Sequence, residues 1–168
     1  MMNNHASLSR ITRATLTLVV GVAVHLPLIA FGQQPTDIIG QWTRGAGKVV
    51  VATARSVNPT WRTNAYGDQL IVSQILLQVE ETLKGPVEEA VWLDLEGGTL
   101  GGLTLRVSSL PELKPGERAV FFLDSLTTGS HVPHGRGLGI LKLDGTNHVQ
   151  GSSLSLEDIR RSARAGGR

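Results

Sequence analysis

The chain has 168 residues, no cysteine, and nearly balanced charge, with 16 Lys and Arg against 14 Asp and Glu. Without cysteine it forms no disulfide, offers no thiol nucleophile or thiolate ligand, and cannot be anchored as a bacterial lipoprotein, which needs a cysteine after its signal. Arg10 and Arg13 precede position 33 and all 14 acidic residues follow it, so residues 33–168 are electrically neutral, with no general attraction to nucleic acid or anionic lipid.

Arg10 and Arg13 stand before an apolar run from Ala14 to Ala30, and Ala30-Phe31-Gly32 sets small residues ahead of Gln33. Positive start, apolar run and small-residue exit predict a cleaved secretory signal over residues 1–32, with export to the periplasm or the exterior. An uncleaved membrane anchor is the competing reading. His25 and Pro27 interrupt a run already near the short limit for spanning a bilayer, so no membrane association is expected after cleavage.

Residues 33–46 read as a lead-in helix, with Thr36 as N-cap and Ile38, Ile39 and Trp42 at helical spacing. Lys48 to Val57 is β-branched and predicts a strand, and Asn58-Pro59 and Asn64 to Asp68 mark the loop after it. Gln69 to Leu83 fits two periods. Ile71, Ile75, Leu77 and Val79 would face inward from a strand, while Val72, Leu76, Val79 and Leu83 would make a helical stripe. Flanking strands favour the strand. Ala90 to Leu95 and Leu103 to Val107 alternate around the glycine-rich Gly97–Gly102, which reads as a turn or bulge and lacks the Lys-Ser/Thr of a phosphate loop. Arg118 to Leu123 is apolar on both faces and predicts a central, covered strand. Gly137 to Leu143 reads as a further strand closed by Asp144-Gly145. Ser155 and Asp158 form a capping box for a C-terminal helix, whose Arg160, Arg161 and Arg164 would complement its negative end before Gly166-Gly167 stops it. The expectation is a mainly β domain: an OB-like five-stranded barrel over 47–152, a short N-terminal helix, and a helix and tail over 153–168.

The barrel assignment draws on a resemblance. Val49 to Ala54, Gln78-Val-Glu-Glu-Thr-Leu-Lys-Gly85, Gly97 to Gly102, Leu113-Lys-Pro-Gly-Glu-Arg-Ala-Val-Phe-Phe-Leu123 and a glycine-rich strand near Gly135 to Leu141 occur in series. This series resembles a group of exported bacterial domains of uncharacterised function. They are similar in turn to the netrin-like modules of tissue inhibitors of metalloproteases, which are OB-type barrels. The resemblance implies the barrel and not the inhibitory mechanism, because such inhibitors cap the protease metal with an N-terminal cysteine that this chain lacks.

Candidate sites are few. Trp61 and Tyr66, with Arg62 between them, make the best stacking platform, on the loop expected between the first two strands. Phe121 and Phe122 lie in the most apolar strand and are expected in the core. His131 and His134 could supply two metal ligands, but on a loop around Pro133 they read as exposed loop histidines, and a metal site needs three or four converging ligands. No Gly-x-Ser-x-Gly elbow or other catalytic motif occurs. The sequence therefore predicts an exported, non-enzymatic binding module, monomeric and without cofactor, whose partner is a protein or glycan rather than nucleic acid. The alternatives are a protease-associated or inhibitory domain, or a hydrolase without a motif.

Overall fold

The computed structural model describes residues 35–166; the expected signal segment lies outside them. Helix α1 spans Pro35–Gly45. Thr36 lies within it rather than capping it. The strands follow as β1 (Lys48–Thr63), β2 (Gln69–Lys84), β3 (Ala90–Glu96), β4 (Gly98–Leu100), β5 (Leu103–Leu105), β6 (Arg118–Ser125), β7 (His131–Pro133) and β8 (Ile140–Lys142), and helix α2 (Leu156–Gly166) comes last. No helix among the described residues is long and apolar enough to cross a membrane.

Gln69–Lys84 is a strand along its whole length, which decides against the helical stripe. Ile71, Ile75 and Leu77 are buried and Val79 packs against the same cluster. Two other expectations are corrected. β1 runs straight through Asn58-Pro59, pairing Asn58 with Gln74 and Pro59 with Ser73, so the loop shrinks to residues 64–68. Beyond Thr53 the second edge of β1 has no partner strand among the described residues, and a missing N–H on that edge breaks no ladder. Residues 136–139 form a 3₁₀ turn rather than the start of a strand. Glycine serves there by letting chains approach: a Cβ on Gly137 would overlap the Ser109 carbonyl, and one on Gly139 the His134 carbonyl.

The strand pairings close on themselves in the order β1-β2-β3-β7-β6 and back to β1, with β8 added beside β6. All are antiparallel except β3 with β7, where Leu93 faces His131 in parallel. The small β4–β5 hairpin stands apart. Gly101 and Gly102 turn it at φ values of +60° and +81°.

β1 and β6 carry two cores. One set of alternating residues, Val50, Ala52, Phe121 and Leu123, meets Ile75, Leu77, Leu93 and Leu95 in an inner cluster. The other set, Val49, Val51, Val120 and Phe122, packs under Ile39 of α1 and Leu156 and Ile159 of α2. This is why both strands read as continuous apolar runs. Trp42 of α1 meets Phe122 edge to face at 5.7 Å. At the N-terminus of α2, Ser155 and Asp158 make the expected capping box, with the Ser155 hydroxyl and amide donating to Asp158 Oδ2 and the Asp158 amide donating back to Ser155 Oγ. Arg160 departs from its expected role. It reaches Glu81 of β2 at 2.7 Å and so ties the helix to the sheet rather than complementing the helix end.

Candidate functional site

At the end of the sheet opposite the helices' contacts, no helix among the described residues closes the inner cluster. A cleft of 480 Å³ opens there between the β1–β2 ribbon, the β4–β5 hairpin and residues 106–113. Val57, Ile75, Leu95 and Leu113 line it, and all four belong to or pack against the inner core. Its polar groups include Ser73, Thr99, Thr104 and Arg106. The hairpin is seated by the backbone. Gly97 N–H donates to the Ile71 carbonyl at 2.8 Å, and Ser73 Oγ donates to the Gly97 carbonyl at 2.7 Å. A Cβ at Gly98 would come within 2.6 Å of Ser73 Oγ, so the hairpin lies this close only because glycine is there.

The expected stacking platform is split. Trp61 and Arg62 belong to β1 rather than to a loop, and neighbouring strand residues face opposite ways. Trp61 is paired with Ile71 and shares the inward side, beyond the end of the core, 46% exposed. Arg62 is on the other side, 4.0 Å from Asp94. Tyr66 projects from the turn at 91% exposure. Asn64 holds that turn, its Oδ1 accepting from the amides of Tyr66 and Asp68, both at 2.9 Å. Trp61 and Tyr66 thus rim one end of the molecule, and Arg62 belongs to a different surface.

The two histidines are not exposed loop residues. His131 is buried in β7, its Nδ1 3.3 Å from the Trp92 carbonyl. His134 turns to Asp124, with Nδ1 2.9 Å from Oδ2. Its other face abuts α1, where a Cβ at Gly45 would lie 2.5 Å from Nε2. The structure therefore separates the pair that sequence placed together. Among the described residues no group of three or more His, Asp or Glu could hold a metal ion. Asp124 and His134 make the carboxylate–imidazole half of a hydrolytic triad, and no serine hydroxyl is hydrogen-bonded to His134 among the described residues. Phe121 and Phe122 are fully buried, one in each core.

The perturbed carboxylates lie away from the cleft. Backbone N–H of His148, then the Thr146 hydroxyl and amide, hold Asp144 below the usual carboxylate range. The Ser155 hydroxyl and amide do the same for Asp158. At Glu80, burial pushes upward and is outweighed by hydrogen bonds from Thr53 and Arg118. These groups brace turns and strands, as their partners show, and none points to acid–base chemistry at the cleft.

Sequence reasoning missed the loop 106–113 as a cleft wall, and it missed Trp92 and Asp94. An Asp at an outward strand position looks like any solvated residue, and only the fold reveals what surrounds it. Compared with known proteins, the chain matches no family model and no curated protein.

Proposed function

We propose that the chain is an exported, non-enzymatic binding module built on an OB-type barrel, and that its ligand, a protein or glycan, docks at the open end between Trp61, Tyr66 and the cleft. The barrel reading is supported by the ring order, in which five strands close through a parallel contact between β3 and β7. The binding reading is carried by one observation: a 480 Å³ cleft leads directly onto the apolar inner core at an end that no helix among the described residues covers. Apolar walls with a few polar groups suit recognition. Export to the periplasm or exterior, from the signal over 1–32, puts the module where such partners are met.

Site-specific photo-crosslinking in the native envelope tests this reading. A photoreactive residue at Val107 on the cleft, or at Tyr66 on the rim, should give discrete adducts, while one at Glu157, exposed on α2, should give none. Equal labelling at all three positions, or none at the first two, would contradict it. A hydrolase alternative would rest on the Asp124–His134 pair, although His134 Nε2 abuts Gly45 of α1. That alternative requires turnover of an ester or amide that His134→Ala abolishes.

A further inference from the structure

The outer face of β2 and β3 holds a polar arrangement that the free protein leaves incomplete. Asp94 is only 12% exposed through its side chain. Its Oδ2 accepts a 2.9 Å hydrogen bond from Ser130, whose own hydroxyl is 3.1 Å from that of Thr128. Its Oδ1 is shut off from solvent and has no hydrogen-bond partner among the described residues. A buried carboxylate oxygen without a donor is costly. The nearest cation, Arg62, stops 4.0 Å short of Oδ2 and is 45% exposed, a gap too long for a hydrogen bond.

The surroundings define what would complete the arrangement. Trp92 lies two residues earlier on the same face of β3, about 7 Å along the strand, and is 41% exposed. Register sets Leu76 opposite Trp92 and Gln74 opposite Asp94. Among the described residues the Gln74 side-chain amide makes no hydrogen bond, so it has a donor and an acceptor to offer. Further along the face, Glu96 is already paired with Arg136 at 2.9 Å. Charges on this face therefore balance, Arg62 with Asp94 and Arg136 with Glu96. A balanced face has no excess attraction for a polyanion, which argues against nucleic acid and acidic polysaccharide. An exposed indole beside the Gln74 amide and a half-exposed guanidinium matches a neutral pyranose, with an apolar C–H face to stack and hydroxyls to hydrogen-bond.

We propose that Trp92, Gln74, Arg62 and Asp94 form a binding site for a neutral pyranose chain. The sugar face stacks on Trp92 and its hydroxyls engage Gln74 and Arg62. Water is excluded around the guanidinium, which then closes from 4.0 Å onto Asp94 Oδ2, beside the Ser130 hydroxyl, and strengthens the ion pair. Asp94 is the positioning residue, oriented by Ser130. The site is on the opposite side of the β1–β2 ribbon from the cleft and does not rest on the cleft reading.

The test is an NMR titration of the exported protein with cellotetraose, the β-1,4-linked tetramer of N-acetylglucosamine and maltotetraose, with a heparin tetrasaccharide as the anionic comparison. At least one neutral tetrasaccharide should shift the Trp92 indole N–H signal and leave that of Trp42 in place. Its affinity should fall about tenfold or more in Trp92→Ala and stay within about threefold in Trp92→Tyr. Asp94→Asn should weaken binding about tenfold without unfolding the domain, because the amide no longer holds the guanidinium. If Trp92→Ala fails to fold, the Trp92 signal and the Trp92→Tyr variant decide. No response of Trp92 to any neutral tetrasaccharide, or a stronger one to the heparin fragment, overturns the proposal. Crosslinking at Val107 without a Trp92 response would refute this site and leave the open-end reading intact.

Discussion

The two faces of β1 and β6 meet opposite fates. On one, Val49, Val51, Val120 and Phe122 are sealed beneath α1 and α2. The seal is reinforced where Lys84 Nζ donates to the carbonyls of Thr43, Arg44 and Ala46 at 2.7, 3.1 and 2.6 Å, and where Arg160 grips Glu81. On the other, the inner cluster runs to an end where its last residues, Val57, Ile75 and Leu95, line a cleft instead of meeting a cover. The same strands thus give a finished core and an unfinished one. Stability should reside in the first and recognition in the second.

Substitutions can break or sharpen that contrast. The largest effect is expected from Phe122→Ala, which hollows the sealed core and removes the partner of Trp42; it should cost about 3–5 kcal/mol in urea unfolding. A loss below about 1 kcal/mol would mean the helices do not brace the sheet. Lys84→Met keeps the aliphatic stem and deletes the charge that caps α1. It should cost about 1–3 kcal/mol and speed amide exchange in residues 38–46, and unchanged exchange there would remove Lys84 from the account.

The acid response should follow the braced turns. Asp144 and Asp158 have folded-state pKa values below their unfolded values, so their stabilisation is complete above the unfolded value and is lost as pH falls through the folded one. Stability should therefore decline on acidification below the ordinary carboxylate range. The decline should be shallower in Asp144→Asn, which keeps the turn geometry and removes one of the titrating groups. An equal slope in the variant would show that this turn does not contribute. The smallest stability effect is expected at the open end, where Trp61→Ala should change unfolding free energy by no more than about 0.5 kcal/mol, as for other exposed positions. It should nevertheless weaken adduct formation at Val107. A large stability loss there would mean that the end is structural.

Legibility in the sequence follows the same division. Where burial is on both faces or a cap is local, residue type alone suffices. Arg118 to Leu123 announced β6, and Ser155 with Asp158 announced α2. Where the outcome depends on contacts distant in the chain, residue type misleads. Asn58-Pro59 looks like a loop and is a strand because β1 there has a free edge. Gly137 looks like a strand spacer and is a contact point for Ser109, 28 residues away by its numbering. His131 and His134 are neighbours in sequence and are drawn apart by Trp92 and Asp124. Trp61 and Arg62 look like one platform until strand alternation puts them on opposite faces.

The central proposal, that a partner docks at the cleft end of the domain, is tested most directly by hydrogen-exchange mass spectrometry of residues 33–168, alone and in a cell-envelope extract. Added protection is expected in residues 98–113 and around Trp61 to Tyr66, with exchange in α2 over Leu156–Gly166 unchanged. Protection gained across α2 and absent from 98–113 would contradict it.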